Sequence, residues 1–333
     1  MRVVVIGGTS FIGRRIVEDL VARGDEVTVV HRGETEPVDW VGCRHIHVDR
    51  AAFSSVAAQV RAAAPDAVVD TLAMSRSDVD AVLPHLPDAQ LVVLSSVDVY
   101  RAFGLVLTDQ EGEPLPLTED SPVRETRYPY RDSGVRPDDY DKLDVEPAYL
   151  ARGATALRLV MIYGEHDPKR REEFILRRVR AGRRRIPVGP ASWLWTRCYV
   201  GDVAGAVLAA LGNARAAGEV FNVGEPAVRS IRGWAEDILA AAGHDAELVT
   251  VPEFALPEDM SMTRSVDQHL LVDVGKAAEV LGWRAADPGD GLRRSVRWHL
   301  ANPPPTNPSG EAPADPDFTA DDEALAAAVS VRR

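Results

Sequence analysis

Short apolar runs alternate along the first hundred residues with stretches whose apolar positions recur at helical spacing. Val3-Val4-Val5-Ile6 is a run suited to a strand buried on both faces. Beyond Gly7-Gly8-Thr9-Ser10-Phe11-Ile12-Gly13, the residues Ile16, Val17, Leu20 and Val21 mark one face of a helix that ends at Gly24. Val27-Thr28-Val29-Val30 gives a second strand, closed by His31-Arg32. The pattern then predicts a strand over 44–50, a helix over 54–64, a strand over 66–73, a helix over 77–86 and a strand over 90–96. Such steady alternation predicts an α/β fold, a doubly wound parallel sheet of the Rossmann kind.

The pattern is less regular afterwards. Residues 108–139 are rich in Pro, Asp and Glu without periodicity, a length that marks either a functional or a disordered segment. Within it, Arg127-Tyr128-Pro129-Tyr130-Arg131 reads either as a substrate-facing lid or as a surface loop packed by its own tyrosines. A helix is expected from Asp139 through Glu146, one strand over 154–162 closed by Tyr163-Gly164, a basic helix over 172–181 and a short strand at 220–224. Arg183-Arg184-Arg185 reads as a solvated face. The expected organisation is a dinucleotide-binding domain over 1–165, with 197–224 returning to it. Residues 166–196 and 225–302 form a smaller C-terminal substrate lobe, with helices at 231–242 and 276–281. From Pro303 the Pro/Asp-rich composition predicts a disordered tail to Ala320, followed by a short helix at 321–329.

A chain of 333 residues can bury a large core, and its net charge of −13 opposes general binding to phosphate backbones. Cys43 and Cys198 lie far apart without metal-ligand spacing, so free thiols in a reducing compartment are expected, and no metal. Nothing resembles a signal peptide, and no apolar run approaches membrane-spanning length, which predicts a cytoplasmic protein without a membrane partner.

A glycine turn between a buried strand and a helix lets the backbone approach a pyrophosphate at the positive helix end. Gly7, Thr9, Ser10, Phe11, Ile12 and Gly13 are therefore candidate cofactor contacts. Leu72, Ala73, Met74 and Ser95 join them because ligands bind beyond the carboxyl ends of parallel strands. Asp49 and Arg50 would fall near the adenine. The second strand usually ends in an acidic residue that accepts hydrogen bonds from the adenosine ribose. Here it ends in His31-Arg32, and Arg32 and Arg14 suit a ribose 2′-phosphate, which favours NADP over NAD. Alternatively, Arg14 faces solvent and Arg32 stacks on the adenine.

Several separated motifs together resemble the extended short-chain dehydrogenase/reductase superfamily, specifically its NAD-dependent epimerase/dehydratase family. They are Gly7–Gly13, Ser95-Ser96 with Tyr100, Tyr140 and its helix, Leu157-Arg158 with Tyr163-Gly164, Arg197–Ala204, and Phe221-Asn222-Val223-Gly224. The resemblance covers about residues 1–300. It implies a nucleotide-sugar or similar hydroxylated substrate, with Ser96 orienting the reacting oxygen and Tyr140 moving its proton during hydride transfer. It also makes Asp98 a candidate catalytic acid or base, or else a turn cap. Tyr100, Tyr163 and Arg197 become candidate substrate contacts, Arg197 either binding phosphate or pairing with Asp202.

The chain departs from the family four residues beyond Tyr140, where Asp144 stands in place of lysine. Lys142 is only two residues on, and i, i+2 side chains on a helix point apart. Three accounts are open. Lys142 serves if the helix begins only after Tyr140, Tyr140 works with another cation, or the site binds a nucleotide without hydride chemistry. Epimerisation, dehydration and reduction share a first step, and the His31-Arg32 ending tilts the reading towards a reductase. The rival is a catalytically degenerate nucleotide-binding or RNA-associated protein, since Arg32-Gly33 resembles RNA-associated relatives of this fold. Self-association as a homodimer through residues 77–86 and 140–151 is a further expectation.

Overall fold

The computed structural model describes residues 1–37, 40, 42–304 and 317–331. The strands, in chain order, are β1 (Arg2–Ile6), β2 (Glu26–His31), β3 (Arg44–His47), β4 (Ala67–Asp70), β5 (Gln90–Ser96), β6 (Thr155–Leu159), β7 (Met161–Tyr163), β8 (Arg185–Val188), β9 (Arg197–Tyr199), β10 (Val220–Val223) and β11 (Glu247–Thr250). The α-helices are α1 (Phe11–Arg23), α2 (Ala57–Ala62), α3 (Arg76–Val82), α4 (Arg101–Leu107), α5 (Lys142–Leu150), α6 (Glu173–Arg180), α7 (Val200–Ala210), α8 (Ile231–Ala241), α9 (Pro288–Ala301) and α10 (Thr319–Val331).

Seven strands form one parallel sheet in the order β10-β6-β5-β4-β1-β2-β3. The apolar run of β1 explains its central place. Val3 and Val5 face a layer containing Ile16, Leu20, Val203 and Val207. Val4 and Ile6 face the opposite layer, with Val60, Val79, Val82 and Val145. Both faces are covered, as a parallel sheet requires. The strand order reverses at β1, so the carboxyl ends of β1, β4 and β5 open onto a crevice.

The structure corrects several expectations. The helix expected from Asp139 begins at Lys142, because Asp141 is its N-cap and Tyr140 pairs in extended form with Ser75. The single strand expected over 154–162 divides at Val160. β6 stays in the large sheet, whereas β7 pairs with β9 in a separate two-stranded sheet. The helix expected over 54–64 is a 3-10 turn from Arg50 to Val56 followed by the short α2. α4 and α9 were not anticipated, and the helix expected at 276–281 is a single π-helical turn, Ala277–Leu281.

In the tail, the helix expected at 321–329 is present as α10, Thr319–Val331. Residues 305–316 lie outside the described residues, but 317–331 dock on the substrate lobe, with Ala324, Leu325 and Ala328 buried in its core. Arg178 on α6 is fully buried and pairs with Asp321 of α10 at 2.6 Å and Asp259 at 2.8 Å. Breaking one side of a buried ion pair leaves an uncompensated charge. Asp321→Ala should lower the unfolding free energy by about 3 kcal/mol in a denaturant titration. A loss below about 0.5 kcal/mol, the size of an ordinary surface change, would mean that α10 does not dock through this pair.

Candidate active site and cofactor cleft

The crevice is built on the glycine turn. Gly7 has φ +85°, and a Cβ on Gly13 would lie 2.1 Å from the Gly7 carbonyl oxygen, so only glycine permits the contact between turn and helix. Thr71 at the end of β4 holds the turn from behind, its Oγ1 donating to the Ile6 and Gly7 carbonyls at 2.9 Å. The N-terminus of α1 faces the crevice with no side-chain cap from Ser10, which leaves its amides for an anion. These residues fit the pyrophosphate of a dinucleotide.

Gly7, Phe11 and Ile12 line one side of the cavity, and Ser96, Tyr140 and Lys142 line the other. The position of Lys142 follows from the backbone. Asp141 is extended, with φ −160° and ψ 113°, and its N–H donates to the Met74 carbonyl at 3.0 Å. In extended chain, residues two apart share a side. Tyr140 and Lys142 therefore enter the same cavity, and the Lys142 Nζ stands 5.9 Å from the Tyr140 ring centre. Asp144, at the family's lysine position, turns instead to Arg127 at 2.5 Å.

The electrostatics are set by burial. Lys142 Nζ donates to the carbonyls of Ala73 at 2.5 Å and Leu94 at 3.0 Å, at the ends of β4 and β5. Burial brings its ammonium down to about 8, against the opposing pull of Asp98 and Asp70. The Tyr140 hydroxyl donates to Asp98 Oδ2 at 2.8 Å, and Tyr130 reaches the same oxygen at 3.3 Å. Burial and then the Asp98 charge push Tyr140 well above its ordinary value. Burial likewise raises Asp98, although Tyr140, Arg124 and Lys142 favour its ionised form. The other oxygen, Asp98 Oδ1, is buried with no hydrogen-bond partner among the described residues. Ser96 Oγ accepts the Asp98 N–H at 3.2 Å, so the hydroxyl and carboxylate are parts of one turn.

Other candidate residues have different surroundings. Leu72 and Met74 line the cavity with Ser10 and Ser95. Thr9 is buried and bonds Thr35 at 2.8 Å. Arg14 is 2.6 Å from Glu18, and Arg32 pairs with Glu34 in the open. Asp49 accepts the Ala51 N–H. Arg50, expected near the adenine, is partly buried and fixed bidentately on Asp70 at 2.9 and 2.8 Å. His31 turns its ring towards His45 and His47, its Nε2 2.8 Å from His45 Nδ1.

The substrate-contact expectations change most. Tyr100 is fully buried, donates to Asn222 at 2.7 Å and lies under Arg158, so it is a core residue. Tyr163 and Arg197 line a second cavity with Glu225 and Trp234, separate in its lining from the one at Tyr140. Arg197 donates to the Trp195 and Arg229 carbonyls and stacks on Trp234, and the alternative pairing with Asp202 is not made. The lid reading gains one residue, since Tyr130 packs edge-on against Tyr140, 5.3 Å between centres. Sequence reasoning missed Arg136, Lys169 and Arg171, which stand at the cavity rim. They lie in segments without periodicity, and only their charge signalled them.

A Rossmann sheet, a glycine turn and a Ser/Tyr/Lys group on one crevice define the extended short-chain dehydrogenase/reductase class. Within it the chain belongs to the NAD dependent epimerase/dehydratase family, whose model matches residues 3–86 and 87–224. The chain is 28% identical over 346 residues to the chloroplast stem-loop binding protein of 41 kDa b of Arabidopsis thaliana, covering 97% of this chain and 84% of that protein. Among solved structures, dTDP-glucose 4,6-dehydratase from Bacillus anthracis in complex with NAD aligns with a TM-score of 0.68 at 17% identity, covering 91% of this chain and 97% of that one. UDP-glucose-4-epimerase from Stenotrophomonas maltophila, with bound NAD and formylated UDP-arabinopyranose, gives 0.70 at 20% identity, covering 90% and 98%. Both share the fold. No helix among the described residues is long and apolar enough to cross a membrane.

The Lys142 environment can be tested directly, because the chain has only three lysines, Lys142, Lys169 and Lys276. A heteronuclear titration of the lysine side chains should show one amine with a midpoint near 8, lost in Lys142→Met. The sign for stability follows. Between about 8 and the ordinary value of 10.5 the unfolded chain holds this proton more tightly, so the burial penalty, complete below 8, is relieved as pH rises through that window. If no lysine titrates below about 10, Lys142 is not desolvated in solution.

Proposed function

We propose that the protein is an NADP-dependent oxidoreductase of the epimerase/dehydratase type, acting as a reductase on a nucleotide sugar or a similar hydroxylated small molecule. The observation that carries this reading is the convergence of Ser96, Asp98, Tyr140 and Lys142 opposite the glycine turn. The nicotinamide, when bound, supplies or accepts the hydride. Ser96 would orient the reacting oxygen.

The proton route differs from a simple tyrosinate, because Asp98 and burial keep Tyr140 protonated. In the oxidative direction, Tyr140 Oη receives the substrate hydroxyl proton as its own proton passes to Asp98 Oδ2, which becomes the neutral acid while the hydride leaves to the nicotinamide. Reduction runs the same path backwards. Lys142 supports it from the strand ends, its ammonium favouring the ionised Asp98. The preference for NADP rests on Arg32, whose exposed pair with Glu34 is worth about 0–1 kcal/mol and exchanges readily for a phosphate.

A second reading, RNA binding, is favoured by the similarity to the stem-loop binding protein. Against it, Arg183, Arg184 and Arg185 are each paired, with Asp322, Asp245 and Glu247 respectively, so this run is not a free basic stripe.

Two measurements separate these readings. Fluorescence titration should show NADPH binding at least tenfold tighter than NADH, with Arg32→Ala removing most of the difference. Tyr140→Phe should then lower turnover of an accepted nucleotide sugar by about 100-fold or more while leaving NADPH affinity within twofold. Equal binding of both cofactors would remove the NADP assignment. Absence of nucleotide binding, together with a salt-sensitive gel shift on a stem-loop RNA, would replace the enzyme reading with the second one.

A further inference from the structure

Outside the catalytic group, β2 and β3 bring together three histidines that the proposed chemistry does not use. The strands pair in parallel with His31 opposite His47 and Val29 opposite His45. Alternation along β3 puts His45 and His47 on one face, and the pairing places His31 on the same face. The loop after β2 then returns Glu36 to this face. Its Oε1 lies 2.5 Å from His47 Nε2, 3.2 Å from His31 Nε2 and 3.4 Å from His45 Nδ1. All four donor atoms fall within 4.8 Å of one another. For nitrogen and oxygen ligands about 2.0–2.1 Å from a zinc ion, a tetrahedral edge is about 3.3 Å, within the span of these separations.

We propose that His45 Nδ1, His47 Nε2 and Glu36 Oε1 form a binding site for a transition-metal dication of the zinc class, with His31 a donor beside the ligand atoms. The hydrogen bonds fix the roles of the rings. The Gly33 N–H donates to His31 Nδ1 at 3.1 Å, which puts the proton of the neutral ring on Nε2, 2.8 Å from His45 Nδ1 and 3.2 Å from Glu36 Oε1. His31 is thus a donor within the cluster, hydrogen-bonded to His45 Nδ1 and next to Glu36 Oε1, the place of an outer partner to ligand atoms. His45 has its Nε2 3.5 Å from Cys43 Sγ, and a proton donated there leaves the Nδ1 lone pair directed at the cluster. Imidazole and carboxylate donors suit zinc and its neighbours better than calcium or magnesium.

The site is open on one side. His47 is 56% exposed and Glu36 40%, so a fourth ligand position faces solvent. The same loop carries Thr35, which bonds Thr9 of the glycine turn at 2.8 Å. A bound ion would therefore pin the loop that borders the adenosine end of the cleft. Nothing in this arrangement depends on which reaction the catalytic group performs.

The test uses the full chain without an affinity tag, stripped with a chelator and titrated with Zn²⁺ by calorimetry and with Co²⁺ by visible absorption. One equivalent should bind, with a cobalt spectrum of low-symmetry tetrahedral type. His47→Ala and Glu36→Gln, both at exposed side chains, should melt like the wild type without metal. Each should weaken binding by at least the 10–100-fold that loss of an outer partner costs. Failure of the wild type to bind one equivalent saturably, or wild-type affinity in either variant, would overturn the proposal.

Discussion

The carboxylate of Asp141 is the constraint on which the catalytic side of the molecule depends. It is fully buried and accepts from Arg124 Nη2 at 2.5 Å, Arg127 Nε at 2.8 Å, the Tyr128 N–H at 2.9 Å and the Leu143 N–H at 2.9 Å. Burial alone would raise it, but the two guanidiniums and two amides outweigh that and hold it at about 2. One group thereby caps α5, anchors the aperiodic loop through Arg124 and Arg127, and keeps residue 141 extended. The extended link turns Tyr140 and Lys142 to the same side. A helix starting two residues earlier would have sent them apart.

Around that cap, buried charges are balanced in layers. Beneath the cleft, Asp70 holds Arg50 bidentately, accepts the Leu72 N–H at 3.0 Å and receives the Tyr149 hydroxyl. Beside it, Glu146 on α5 pairs with Arg158 at 2.8 Å and accepts from Ser95. These pairs act as scaffold. The Asp98–Tyr140–Lys142 group differs: its lysine donates only to carbonyls, and one aspartate oxygen has no partner among the described residues. Residues whose charge is unfavourable as buried, at a sheet edge where ligands bind, are the pattern expected of proton-transfer groups.

The substrate lobe is tied to the sheet by elements that appear irregular in sequence. The break at Val160 hands the chain from the large sheet to the two-stranded pair β7–β9, and Leu159, Val160 and Ile162 at this break line the cleft. α10 then closes the outer side of the lobe through Arg178 and its two carboxylates. The histidines of β2 and β3 lie at the far edge of the sheet, away from Tyr140 and Lys142.

The sequence by itself determined the parallel sheet, the glycine turn and the family, because each rests on local spacing: apolar runs, glycines at a turn, and motifs in fixed order. It also pointed to Ser96, Asp98, Tyr140 and Lys142 as candidates. Whether Lys142 could stand beside Tyr140 was decided only by tertiary structure, since the start of α5 depends on Arg124, Arg127 and Met74, far from the cap in sequence. Tyr100, Tyr163 and Arg197 likewise matched motifs, yet their neighbours Asn222, Glu225 and Trp234 come from later elements and turn them into core or into another cavity. The His45-x-His47 alternation was visible along the chain, but its meeting with His31 and Glu36 required the register of β2 against β3 and the return of a loop. Local periodicity writes elements and register-independent motifs, whereas side-chain convergence across elements is fixed by packing and by buried charges that must find partners.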